Sequence, residues 1–324
     1  MVRMAWLFLA LVVSGTAALA QEPAPGFPSW AYVMGPGVPV PKVPDDGSLF
    51  SVPGSAARFT RDQTRDRFSA PDWHPEDHPA MPAVVASGRK PAVWACALCH
   101  RPNGAGGPEN ARIAGLPAEY IEQQLRDLAS GERSTVMPKR NAANLKHGIA
   151  QALTAEEIHA AADYFSHVAP RPTLVVKESE TAPRTVNLLN ILAASSDGEW
   201  VRLDRSRIVE VPEDLERFDV LRDDRVQFLV YVPPGSIAKG LALTRAPAGN
   251  PALACVACHG ADLRGSGLIP SIAGRSPSYV VRQLWDIQAG ARHGAGAQAM
   301  KPVVASLSSQ EMLELAAYLA TLKP

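Results

Sequence analysis

The chain has 324 residues, 46% of them hydrophobic but only 6% aromatic, with 29 prolines. That length supports two domains with material left over, and packing must be helped by something other than Trp and Phe. Basic and acidic residues balance at 32 each, which argues against nucleic acid or an anionic membrane surface as a partner.

Residues 1–20 read as an export signal. Met1 to Arg3 is a short positive start, Ala5 to Val13 an apolar run, and Ala18-Leu19-Ala20 a small-x-small cleavage site. The run is well short of the roughly 20 residues a spanning helix needs. The mature chain is therefore expected in the periplasm, with no transmembrane segment. Residues 21–78 follow as a Pro-rich, irregular arm. In its P-D-W-H-P-E-D-H-P stretch, His74, Asp77 and His78 make a sparse metal-ligand set; the plainer reading is a segment wrapped on the module that follows.

From residue 79 the pattern becomes helical. Pro82 to Trp94 reads as a short opening helix, and A-C-A-L-C-H-R follows at 95–101. Pro117 then opens a helix whose face carries Tyr120, Ile121, Gln124, Leu125 and Leu128, stopped by Gly131. A last helix is announced by a capping box of Thr154 and Glu157, with Ile158, Ala162 and Phe165 on one face. Residues 170–234 differ: V-R-L-D-R-S-R-I-V-E-V and V-Q-F-L-V-Y-V read as strands of a small β insert. From 235 the helical scheme returns, with Ser236 to Leu243 as opening helix, A-C-V-A-C-H-G at 254–260, a helix from Pro277 to Gly290, and a capping box of Ser308 and Glu311 before Met312, Leu315, Ala316 and Leu319.

The two helical regions are copies. With a shift of 159 positions, Ile113-Ala114-Gly115 matches Ile272-Ala273-Gly274, Tyr120 matches Tyr279, Gln124-Leu125 matches Gln283-Leu284, and Gly131 and Arg133 match Gly290 and Arg292. All four cysteines lie in the two Cys-x-x-Cys-His motifs. Two disulfides would be the usual reading in an exported chain, but they do not explain a histidine after each pair. A thioredoxin-like site expects a βαβ setting that is absent, and the pairs are too far apart for a zinc ribbon. Haem c attachment explains the whole motif: Cys96, Cys99, Cys255 and Cys258 add to vinyl groups, and His100 and His259 lie beneath the ring as proximal ligands. Two covalently bound haem c groups are expected.

Each copy also holds one methionine in the polar loop before its last helix, Met137 in V-M-P-K and Met300 in A-M-K-P. A thioether is a soft ligand that raises the haem potential, and a nearby proline stiffens the loop presenting it. Met81 and Met312 are weaker candidates. His147, His159, His167 and His293 have no counterparts between copies and read as solvated or cap-side residues. With no cysteine left over, a thiolate ligand is excluded.

These residues resemble class I cytochromes c, and in tandem the two-haem cytochromes of the c-four type, over residues 79–169 and 235–324. The resemblance implies a mostly α fold: two class I cytochrome c modules with a small β-containing insert and a Pro-rich N-terminal arm. It also implies that a proline carbonyl before Ile-Ala-Gly holds the proximal histidine. Pro270 fits that role for His259, whereas Ala111 stands at the matching place in the first copy, so His100 is expected to be held less rigidly. The function implied is electron transfer, without catalysis, between redox proteins such as a dehydrogenase, an oxidase or another cytochrome. The alternatives are a two-haem cytochrome c peroxidase and a cytochrome subunit of a dehydrogenase complex.

Overall fold

The computed structural model describes residues 26–33, 43–137, 141–188, 191–246, 250 and 254–324; the export signal lies outside them. The first module comprises α1 (Ala83–Ala86), α2 (Cys96–His100), α3 (Ala118–Ser130), α4 (Asn141–Ala152) and α5 (Ala155–His167). Its core gathers Val85, Leu116, Ile121, Ala162 and Phe165. Pro117 and Gly131 bound α3 as expected, Gly131 adopting φ of 86° so that its N–H reaches back to Leu128 O. The capping box of Thr154 and Glu157 is formed. The expected opening helix over 82–94 is reduced to one turn. Gly88 turns left-handed at φ of 65° and Pro91 follows, so the helical ladder cannot continue.

Between the modules lie β1 (Leu174–Glu178), β2 (Thr181–Pro183), β3 (Thr185–Leu188), β4 (Ile191–Ala194), β5 (Trp200–Arg202), β6 (Val209–Pro212) and β7 (Phe228–Val232). The main sheet runs in the order β1-β7-β6, with β1 parallel and β6 antiparallel to β7. Alternation along β7 serves two cores: Val230 and Val232 face the second module, while Leu229 and Tyr231 pack with Ala182, Leu203, Val209 and Val211. A turn of π-helix at Glu216–Val220 precedes β7.

The second module comprises α6 (Ser236–Arg245), α7 (Cys255–His259), α8 (Pro277–Gln288), α9 (Ala295–Gln298), α10 (Lys301–Val304) and α11 (Ser309–Thr321). Its terminal helices α6 and α11 cross where Gly240 meets the Glu314 backbone so closely that a Cβ would overlap it. The second capping box, Ser308 with Glu311, is formed. The insert is tied to this module by the buried Glu210 of β6, whose Oε2 accepts the hydroxyls of Ser276 and Ser278, both at 2.8 Å. That places a carboxylate at the N-terminus of α8, where the helix dipole favours it.

The arm does not wrap the first module alone. Arg67 O accepts from Ala95 N of that module, Trp73 Nε1 donates to Leu221 O of the insert at 2.6 Å, and the Tyr32 hydroxyl donates to Asp286 of α8 at 2.8 Å. The sparse metal set does not assemble. Asp77 is held by Arg225 and Arg171, His78 pairs with Asp72, and His74 turns inward to Asp223, with its Nε2 3.3 Å from the carboxylate.

The helix crossing is testable. Gly240→Ala should destabilise the protein by about 1–3 kcal/mol because the new methyl strikes backbone. Gly148→Ala, in α4 with open space around it, should be neutral or stabilising by up to about 1 kcal/mol. Thermal unfolding of the two variants checks the contrast.

Candidate haem sites

Each Cys-x-x-Cys-His motif forms a single helical turn, α2 or α7, which sets both thiols and the imidazole on one short rigid segment. No disulfide joins any of the four cysteines, so each sulfur is available to bond a haem vinyl group.

The proximal histidines are fixed identically in the two copies. His100 Nδ1 donates to Ala111 O and His259 Nδ1 to Pro270 O, each at 2.8 Å. A carbonyl can only accept, so Nδ1 carries the proton and Nε2 is left with its lone pair. The expectation of a looser His100 is therefore overturned: the contact is made by a backbone oxygen, which alanine supplies as well as proline. Burial, followed by the Lys146 charge, pushes the His100 imidazole down to about 4, and burial, opposed by the Pro270 bond, lowers that of His259. The shift in both copies favours the neutral ring, the form that metal ligation requires.

The loop supplying each carbonyl is closed by matching bonds. Gly106 N donates to His100 O at 2.9 Å and Gly265 N to His259 O at 2.8 Å. Both glycines are left-handed, at φ of 66° and 89°, and a Cβ on either would collide with the backbone of the carbonyl-bearing segment. Two other left-handed positions exchange residue types. Arg101 (φ 69°) stands where the second copy has Gly260 (φ 83°), and Leu263 (φ 61°) where the first has Gly104 (φ 66°). The backbone path is thus kept even where a side chain strains it.

The copies meet through reciprocal arginines. Arg133 donates to Gln124, Tyr279 and Gln283, and Arg292 to Gln283, Tyr120 and Gln124, at 2.8 to 3.2 Å. Arg112 donates to Ala273 O and Gly274 O, while Arg275 donates back to Arg112 O. Burial opposes ionisation of the Tyr279 phenol, yet Arg133, Arg275 and Arg292 together pull it down to about 7. The interface is a positive, partly buried seam. The sequence showed these Tyr, Gln and Arg residues as matched positions; only the structure shows that they bond across copies.

The two methionines differ in placement. Met300 caps α10 and packs on the core of its own module, whereas Met137 packs on that same second core. The segment before Met137 is drawn across by Ser134 N to Ala291 O at 2.9 Å and Val136 N to Asp286 Oδ1 at 3.1 Å. Residues 138 and 139, which complete V-M-P-K, lie outside the described residues. Met81 packs on the first core and Met312 is fully buried in the second. The unmatched histidines have other partners: His147 with Leu128 O, His159 with Glu122, His167 with Asp163, and His293 with Gly290 O.

Two thiols and a neutral imidazole on one helical turn, made twice and joined through a cationic seam, suit a covalently held, iron-bearing macrocycle with acidic substituents. The structure thus defines a two-module c-type haem protein. The cytochrome c family model matches residues 85–169 and 247–323, half of the chain, and the chain belongs to that family; it carries two covalently bound haem c groups and functions in electron transfer. Among similar proteins, a thiosulfate dehydrogenase electron acceptor from Thiomonas intermedia is 25% identical over 74% of this chain and 84% of its own length. A cytochrome c4 from Thiocapsa roseopersicina is 43% identical over 21% of this chain and 33% of its own. A cytochrome subunit of sulfide dehydrogenase from Chlorobaculum tepidum is 31% identical over 30% and 81%. The solved cytochrome c4 from Pseudomonas stutzeri is 20% identical, covers 70% of this chain and 93% of that one, and superposes with a TM-score of 0.45. Among the described residues no helix is long and apolar enough to cross a membrane.

Two substitutions test the sites. Cys96→Ser should lower pigment at the first module only, leaving about one firmly attached haem per chain in an extraction assay. Gly106→Ala, which displaces the Ala111 carbonyl, should destabilise the first module by about 1–3 kcal/mol, read as earlier unfolding of that module in denaturant.

Proposed function

We propose that this chain is a periplasmic two-haem electron carrier that accepts electrons from a dehydrogenase and passes them to a further redox protein. The observation that carries this reading is the repeated His Nδ1 to carbonyl bond at 2.8 Å, because it holds both proximal imidazoles in one tautomer and one orientation whatever the redox state. Cys96, Cys99 and His100 serve the first haem, and Cys255, Cys258 and His259 the second. Met137 and Met300 are the proposed sixth ligands. The proposed division is an export signal at 1–20, an arm at 21–78, modules at 79–169 and 235–324, and the insert at 170–234.

Bound haem supplies a one-electron iron couple. The chain sets its potential and surroundings: thioether ligation favours the reduced iron, and the partly buried positive charges of Arg133, Arg292 and Lys146 act in the same direction. The guanidinium groups of the seam would supply positive charge to balance the carboxylates of bound porphyrins. A dehydrogenase as donor is supported by the similarity to the Thiomonas intermedia protein, an electron acceptor for thiosulfate dehydrogenase. A peroxidase would need an iron with a displaceable ligand and an acid-base side chain beside it; a methionine in both copies supports carriage instead.

Met300→Ala should remove one methionine-to-iron charge-transfer contribution from the oxidised spectrum and lower one potential by on the order of 100 mV. Met137→Ala should do the same for the other haem. Peroxide turnover by the unsubstituted protein should be negligible, while exchange with small mediators is fast and reversible. Spectra and potentials unchanged in either variant would sink that ligand assignment, and fast peroxide reduction would favour the peroxidase.

A further inference from the structure

The two copies differ most in what covers the haem-attachment face. In the second module, Ala257, Cys258, Asp262 and residues 266–269 are exposed, with Leu268 at 64% and Ile269 at 36%. The equivalent stretch of the first module is closed. Ala97, Leu98, Arg101 to Gly104, Gly106 and Pro108 are buried.

The cover is the chain's own insert. Phe218 lies directly on Gly107, where an added Cβ would meet its Cζ at 2.8 Å. The Arg101 guanidinium stacks over that ring at 4.5 Å and donates to Phe218 O at 2.8 Å. Phe228 supports the ring edge-on at 4.8 Å, and Asn103 Nδ2 donates to Asp224 O at 3.2 Å. The second copy has Ser266 and Leu268 where the first has Gly107 and Glu109. The groups that seat the insert are absent there, and apolar side chains face outward instead.

We propose that residues 170–234 form a built-in cap on the first haem module, and that redox proteins exchange electrons with this chain at the second module, across the apolar patch of Leu268 and Ile269. The proposal rests on the carrier reading above and names its port. The occupant is a haem protein that presents an aromatic or aliphatic side chain at its own haem edge, as Phe218 does within the chain. Asp262 and Arg264 beside the patch carry opposite charges, 3.8 Å apart, so this pair adds no net sign to the rim and docking should depend only modestly on salt. In each encounter one electron leaves the partner's ferrous iron and reduces one ferric iron of this chain. No bond is made or broken and no proton is needed. The reciprocal arginine seam then joins the port to the capped module.

The test uses the two-haem protein and two reductants, a reduced single-haem c-type cytochrome and ascorbate with a small mediator. Binding is read independently by amide chemical shifts with the zinc-substituted form of the same cytochrome, which cannot transfer an electron thermally. Shifts should cluster at 257–269 and spare 97–110. Leu268→Glu with Ile269→Glu should slow reduction by the cytochrome about tenfold and leave reduction by the mediator unchanged. Phe218→Ala should expose the first module and bring new shifts at 101–108. Shifts centred on the first module, no binding at all, or an unchanged cytochrome rate in the double variant would overturn the proposal. Failure of the mediator reaction in the unsubstituted protein would instead overturn the carrier reading.

Discussion

A histidine that binds iron through Nε2 carries its proton on Nδ1 and is oriented by whatever accepts that proton, and a backbone carbonyl does this without regard to side chain. Much of each module serves to deliver this one oxygen. The glycine two residues past the tight loop, Gly106 or Gly265, bends the chain so that the segment returns over the imidazole. Ile-Ala-Gly then anchors the far end, with Gly115 N bonded to Phe165 O and Gly274 N to Leu319 O. The last helix thereby holds the loop that holds the histidine. Loosening any link would let the ring rotate, and the ligand field would vary with it.

The seam between modules obeys a different logic. Arg133 and Arg292 each bond to residues of both copies, so neither module presents a finished surface alone. Because the bonds run to amides and phenols as well as across the seam, the positive charge is spread rather than neutralised. This is consistent with a site built to meet negative charge while keeping two irons in a fixed relation.

Much of this was legible in the sequence because it is local or duplicated. Two capping boxes, the Pro117 to Gly131 helix and the strands ending at Val211 and Val232 depend on short-range spacing, and the motif with its histidine is contiguous. What escaped was set by tertiary contact. Ala111 read as a defect because sequence comparison sees side chains, whereas the functional atom is a carbonyl. The opening helix was overextended because its range was carried past Gly88 to Trp94, although the left-handed turn at Gly88 had already ended it. The arm's reach to Asp286 and the seating of Phe218 on Gly107 join positions more than a hundred residues apart, which no local pattern encodes. Met137 was placed in the first copy by its matched loop, yet its side chain rests on the second core.

The parallel pairing of β1 with β7 has a further consequence. The chain leaves the first module on one strand and approaches the second on its neighbour, running in the same direction, with Leu174 beside Phe228 and Glu178 beside Val232. Residues 179 to 227 therefore form a crossover that departs beside Val232 and returns beside Leu174, from one end of the strand pair to the other. Because β1 and β7 are joined by their own pairing and Glu210 holds β6 to the second module, the outer β3-β4 hairpin of the crossover is the part whose length could change without moving either module, so the relay and the outer part of its cover are separable units of inheritance.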